Sequence, residues 1–186
     1  MLNFFSPKRT DPTIERLYGA IVAQARDPAF YSTYRVPDTL DGRFDMLILH
    51  VALFFRRTKA EVDQVRILGQ AVFDRFCVDM DNSLREIGFG DTGVPRQMRR
   101  MGEAFYGRAA AYEAALAEGD DDKLAGALAR NVYGGEANES VSAGALAAYV
   151  RQAVAALAAQ DGQAFLEGNV SFPEPGPDPM PTADHQ

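Results

Sequence analysis

Residues 43–57 read Arg43-Phe44-Asp45-Met46-Leu47-Ile48-Leu49-His50-Val51-Ala52-Leu53-Phe54-Phe55-Arg56-Arg57. At helical spacing, Phe44, Leu47, Ile48, Val51, Phe54 and Phe55 share one face, and Met46, Leu49 and Leu53 fill much of the opposite one. A helix apolar nearly all round must be surrounded, so it belongs at the centre of a bundle. The strongly apolar run from Met46 to Phe55 is ten residues long with His50 inside it. A bilayer crossing needs roughly 20, so the surroundings it requires are other helices.

Those helices are legible on both sides. Asp11-Pro12 caps and opens a helix whose stripe is Ile14, Leu17, Tyr18, Ile21, Val22 and Ala25. Asp27-Pro28 stops it and starts a short one through Phe30 and Tyr31, and Tyr34 to Gly42 follow as a loop. After the central helix, Thr58-Lys59-Ala60-Glu61 reads as a capping box for a helix with Val62, Val65, Gly69, Val72, Phe73, Phe76 and Met80 in register. Gly69 there would let another backbone approach. Asp79 to Glu86 is a polar stretch in which Ser83-Leu84-Arg85-Glu86 offers a second capping box. A long helix is expected from Val94 to Ala117, ending at Gly119. Next come a helix led by Asp120-Asp121-Asp122 and closed by Gly134-Gly135, an alanine-rich helix capped by Ser142, and a last short one through Phe165 and Leu166. No alternation signals a strand. The reading is all-α: a single helical domain over residues 10–168, of about six or seven helices. Residues 1–9 are expected as a flexible N-terminus and 169–186 as a disordered proline-rich tail.

Composition narrows the chemistry. Of 186 residues, 47% are apolar and 24% charged, with one cysteine, Cys77, and two histidines, His50 and His185. A disulfide scaffold and a Cys-rich metal module are excluded, and no metal-ligand spacing stands out. The net charge of -7 is uneven: residues 1–112 carry +2 and residues 113–186 carry -9. DNA binding across the surface is disfavoured, because phosphate contacts need clustered positive charge. The chain reads as soluble and cytoplasmic.

Single motifs carry little. Gly88-Phe89-Gly90-Asp91-Thr92-Gly93 has the letters of a dinucleotide fingerprint, but a helix precedes it where a strand is required. Asp79-Met80-Asp81 opens like a calcium loop, yet Leu84 and Gly90 stand where its glycine and glutamate belong. Asp38, Asp41 and Asp45 lie beside Arg35 and Arg43 and read as a salt-bridged loop rather than an acid–base pair. His50 reads as a hydrogen-bonded core residue, with a haem ligand as the alternative. Arg96, Arg99, Arg100 and Arg108, with Arg56, Arg57 and Lys59, make a positive ridge fit for acidic lipid, RNA phosphate or a charged protein tail. No nucleophile–base arrangement emerges, and an enzyme is not indicated.

Two stretches do carry a resemblance. One is Tyr34-Arg35-Val36-Pro37-Asp38-Thr39-Leu40-Asp41-Gly42-Arg43-Phe44-Asp45 followed by Leu49-His50. The other is Asp79-Met80-Asp81-Asn82-Ser83-Leu84-Arg85-Glu86-Ile87-Gly88, with Gly90-Asp91, Val94-Pro95, Met98 and Ala104-Phe105-Tyr106-Gly107-Arg108. Over roughly residues 10–150 the chain resembles the ubiquinol–cytochrome c chaperone family, the assembly factors of the respiratory bc1 complex. No generic helix demands such strings. The resemblance implies an all-helical, non-enzymatic chaperone that holds newly made cytochrome b, or other bc1 subunits, near the inner membrane and without a cofactor of its own. Mitochondrial members act with a small partner subunit near the ribosomal tunnel exit. This chain lacks their long N-terminal extension and looks like a bacterial-type homologue.

For such a client, Met98, Met101, Phe105, Tyr106 and Tyr112 would supply a Met/aromatic groove. Arg35, Asp38, Asp41, Arg43, Asp79, Asp81, Arg85, Asp91 and Arg108 would form either a charged network joining the two motif stretches or the client-contact surface. The competing class is a helical ligand-binding protein that takes a lipid, quinone or haem between helices, with His50 beside Arg43 and Arg57 in the pocket.

Overall fold

A computed structural model describes residues 11–135 and 140–176. Its axis is α3 (Leu40–Lys59), in which every residue from Met46 to Phe54 is buried. Around it lie α1 (Pro12–Ala25), the single turn α2 (Pro28–Ser32), α4 (Asp63–Glu86), α5 (Gly93–Glu118), α6 (Asp121–Val132), α7 (Ser140–Ala158) and the single turn α8 (Gly162–Leu166). α3 packs directly against α1, α4, α5, α6 and α7, as an all-round apolar helix must. The expected all-α bundle is what forms: six long helices and two short turns, with no strand among the described residues.

Local signals set most of the ends. Asp11 accepts from the Thr13 amide and Asp27 from the Ala29 amide, with proline at the first helical position each time. Thr39 caps α3 by accepting from the Gly42 amide, so α3 starts a turn earlier than its apolar run suggests. Gly119, at φ 68°, closes α5 in the left-handed conformation that glycine adopts without strain.

Tertiary contacts overrule two capping boxes. Thr58 does not open α4; it is buried in the last turn of α3, where its hydroxyl donates back to the Phe54 and Phe55 carbonyls. It faces Gly69, where an added Cβ would lie 2.0 Å from the Thr58 hydroxyl oxygen. The close approach that Gly69 permits is therefore to a side chain, not a backbone. Ser83 likewise sits inside α4, whose last turns cover the polar stretch 79–86; Met80 and Leu84 keep that segment on the core. α7 begins at Ser140 rather than at a Ser142 cap.

α7 is the one described helix long and apolar enough to cross a membrane by length and composition. Here its Leu146, Tyr149, Val150, Ala153 and Leu157 are buried against the bundle. Tyr149 joins a buried polar chain. The His50 Nδ1 lies 2.8 Å from the Met46 carbonyl, which can only accept, so Nδ1 carries the proton. Nε2 is then the acceptor for the Tyr149 hydroxyl at 2.8 Å. The Gln24 amide donates to the Tyr149 oxygen at 3.1 Å and to the Pro173 carbonyl at 2.9 Å. Four segments of chain meet in this one string of bonds.

Residues 169–176, expected with the tail, run instead as an extended segment along the bundle, with Val170 and Phe172 half-buried against the core. Proline richness excluded a helix there, but two apolar side chains suffice to dock an extended strand. Residues 1–9 and 177–186 lie outside the described residues.

Burial holds the His50 imidazole neutral and pushes its pKa down to about 4. The unfolded chain therefore binds that proton first as pH falls, so the stability His50 contributes is complete above pH 6.5 and lost between 6.5 and 4. Chemical denaturation across that window should show a fall attributable to His50 of about 3 kcal/mol, and His50→Gln should flatten it; equal slopes in the two proteins would remove His50 from the account. Gly69→Ala should cost about 2 kcal/mol by overpacking Thr58, read as a lowered denaturation midpoint; an unchanged midpoint would refute the tight α3–α4 contact.

Candidate functional site

The charged residues of the two motif stretches separate into distinct joints. At the loop before α3, Arg35 takes the left-handed conformation, φ 57°, which lets both its neighbours, Tyr34 and Val36, turn into the core while Arg35 itself is exposed. The Tyr133 hydroxyl and the Val36 amide secure this turn through the Tyr34 and Phe30 carbonyls. Asp38 and Arg43 pair at 2.7 Å on the surface, and Asp41 is exposed in the first turn of α3. The Arg43 guanidinium holds the Asp38 carboxyl below the usual carboxylate range.

Asp79 belongs to another joint. It accepts from the Tyr18 hydroxyl at 2.8 Å, and Arg75 bridges α4 to α1 through Glu15 at 2.7 Å. Arg75 also lies over the Tyr18 ring, 4.9 Å from its centroid. Farther along α4, Arg85 reaches Asp81 at 2.6 Å and Asp91 at 2.9 Å, pinning the loop after α4 to the end of the helix.

One ion pair joins the two stretches. Arg108 of α5 meets Asp45 of α3 at 2.6 Å, and both side chains are largely buried. Burial outweighs the arginine and pushes the Asp45 carboxyl up to about 6. Asp45, read from spacing as part of a loop salt-bridged to Arg35 and Arg43, pairs instead with Arg108: its partner lies a long way along the chain, and only the α3–α5 packing brings it in. Of the nine charged residues read as a network, Arg108 reaches across to the other stretch, and it does so to Asp45, which was not one of the nine.

The Met/aromatic stripe also divides. Phe105 and Tyr112 are core residues; Phe105 packs on Phe73 with ring centroids 4.8 Å apart. Met98 and Met101 are half-buried. Tyr106 is 58% exposed and stands at the mouth of an open groove of about 830 Å³ between the C-terminal half of α3 and α5. Leu53, Phe55, Phe105 and Leu116 supply its apolar wall. Ala109, Ala110 and Ala114 leave α5 thin on this side, which is why space remains between the helices. Arg56 and Glu113 pair across the groove at 2.6 Å, and Lys59 stands at its α3 end. Periodicity placed Phe105 in the stripe and the resemblance added Tyr106, but neither pointed to the α3 half or to the alanines, whose signal is smallness.

The expected basic ridge is reduced by pairing. Arg56, Arg57 and Arg108 are engaged by Glu113, Glu61 and Asp45. Arg96, Arg99 and Arg100 are exposed on α5. His50 does not line this groove: it is fully buried with both ring nitrogens hydrogen-bonded, so ligation of a haem iron would require the Tyr149 bond to break. Among the described residues no group of three or more His, Cys, Asp or Glu is placed to hold a metal ion.

The Arg108–Asp45 strut has a pH signature. The folded Asp45 value lies above the ordinary 3.8, so its contribution to stability is full below that pH and is lost as pH rises through 6. Arg108→Ala removes the attraction that offsets burial, so its cost should be small near pH 4 and reach about 3 kcal/mol at neutral pH. Asp81→Ala, at an exposed pair, should stay within about 0.5 kcal/mol at either pH. Urea unfolding at both pH values checks this; a pH-independent cost for Arg108→Ala would exclude a charged Asp45 as the cause.

The sequence profile of the family described as Ubiquinol-cytochrome C chaperone matches residues 32–172. Ubiquinol-cytochrome-c reductase complex assembly factor 1 of Xenopus laevis is 27% identical over 151 residues, covering 81% of this chain and 75% of that protein. The factor of the same name from Homo sapiens is 25% identical over 158 residues, 84% of this chain, and this chain spans about half, 52%, of its length. The crystal structure of the Cbp3 homolog from Brucella abortus superposes with a TM-score of 0.82 at 39% identity, covering 89% of this chain and 91% of that one. The profile match spans most of the sequence and the shared fold includes both motif stretches: this chain belongs to the ubiquinol–cytochrome c chaperone family.

Proposed function

We propose that this protein assists assembly of the ubiquinol–cytochrome c reductase complex by holding an apolar helix of an unassembled subunit, cytochrome b, in the groove between α3 and α5. The observation that carries this reading is the groove itself. It is open and largely apolar, has Ala109, Ala110 and Ala114 on its α5 side where small residues admit a helix backbone closely, and is marked by the exposed ring of Tyr106. A client that later enters a bilayer offers an apolar helix and few charges, which matches the half-buried Phe55 and Leu116 and the exposed Tyr106 ring. The pair Arg56–Glu113 lies across the seat and would part or shift on loading. The names of the relatives support the process, and the groove supplies a place for it. Membership of a chaperone and assembly-factor family supports the reading of a binding protein, one that would work at, or peripheral to, the inner-membrane surface.

Affinity capture of the tagged protein from crosslinked membranes of its native host, read by mass spectrometry, tests the reading. Cytochrome b should be enriched over equally abundant membrane proteins, and Ala110→Trp, which fills the groove from an exposed position, should reduce that enrichment about tenfold with little change in melting temperature. Capture that is unaffected by Ala110→Trp would place the client elsewhere. Recovery of soluble proteins alone would sink the proposal.

A further inference from the structure

On the far side of α3 from the groove, a second recess is already filled. Residues 169–176 lie in it as an extended chain with no helix of their own. Side-chain amides hold its backbone. The Gln160 carboxamide accepts from the Ser171 amide at 2.8 Å and donates to the Ser171 carbonyl at 2.8 Å, pairing with it as a neighbouring strand would. Gln24 donates to the Pro173 carbonyl at 2.9 Å. Val170 and Phe172, two residues apart, turn the same way, as alternation in an extended chain requires. Phe172 lies edge-on against the His50 ring, centroids 5.3 Å apart, and Phe30 and Tyr149 pack on the same imidazole.

The boundary of this segment is sharp. Before it, α8 is anchored by fully buried Phe165, and Arg16 donates to the Glu167 carbonyl at 2.7 Å. Gly168 then turns the chain with φ 81°, and the Arg16 guanidinium lies where a side chain would stand. Beyond this hinge the segment is held by the half-buried side chains of Val170, Phe172, Pro173 and Pro175, by hydrogen bonds to Gln24 and Gln160, and by one from the Asn169 amide to the Ala164 carbonyl, with no fully buried side chain of its own. Such a contact is at the weak end of a folded protein's local stabilities.

We propose that the recess formed by Gln24, His50, Tyr149 and Gln160 is a binding slot for extended peptide, and that residues 169–176 are its resident, exchangeable occupant. The ligand class follows from what is seated: an extended segment with an aliphatic residue, one spacer, then an aromatic residue followed by proline. The glutamines read the backbone and the aromatic cluster reads the ring. The resident segment occludes the slot until a competing segment displaces it about Gly168.

Two measurements on the full-length chain test this. By hydrogen exchange, the Ser171 amide should exchange at least about 100-fold faster than amides of α3, which open only with the whole bundle; equal protection would overturn the proposal. A fluorescent synthetic peptide of residues 169–176 should bind full-length Phe172→Ala about tenfold more tightly than the unaltered chain, whose own segment competes in cis. Adding Gln160→Ala to Phe172→Ala should weaken that binding. No binding to a folded Phe172→Ala protein would overturn the proposal, and if that variant does not fold, the exchange result decides.

Discussion

A neutral imidazole sealed inside a helical bundle constrains everything near it. His50 has no water to satisfy it, so each ring nitrogen must find a partner among the surrounding segments. The Met46 carbonyl takes one, one turn back on the same helix, and the Tyr149 hydroxyl supplies the other from α7. Because Tyr149 in turn receives Gln24, and Gln24 also holds Pro173, the register of α1 against α3 and α7 is fixed by hydrogen-bond geometry as well as by packing volume. Apolar contacts alone would tolerate a slide between smooth helices; a string of directional bonds does not.

Ion pairs have a comparable role nearer the surface. Arg75 closes the joint of α1 and α4, Arg108 that of α3 and α5, and Arg85 the loop after α4. Of the charged residues in the two motif stretches, Asp79 and Arg108 act between helices, while Asp38 with Arg43, and Arg85 with Asp81 and Asp91, act within their own segments. The open apolar groove is left to alanines, Tyr106 and the α3 wall, so the features most conspicuous in the sequence and those most exposed to a partner are largely different residues.

Much of the architecture was legible because the long helices carry their own periodic stripes, most helices begin at Asp or Thr, and four are followed within two residues by a glycine. What escaped reading was decided across helices. Thr58-Lys59-Ala60-Glu61 has the letters of a cap, yet Thr58 is drawn into α3 by the space that Gly69 opens on α4. Asp79 to Glu86 looks like an interruption because its polar side chains face outward, while Met80 and Leu84 carry the helix through. Residues 169–176 contain prolines and looked unstructured; Val170 and Phe172 find a recess that no local pattern announces. For the site, Phe105 was named from spacing and Tyr106 from the resemblance, but the groove beside them exists because Ala109, Ala110 and Ala114 contribute nothing to fill it, and an absence of side chain has no periodicity to detect.

The thinness of α5 has a dynamic side. Over its whole length from Gly93 to Glu118 it buries only Val94, Phe105, Tyr112 and Ala115, whereas α3 buries an unbroken run. Sparse anchoring places α5 among the elements that fluctuate before the bundle as a whole gives way. On the proposed reading, the helix that lines the groove has few fully buried side chains for its length, and a wall anchored in this way would let segments of differing bulk share one seat.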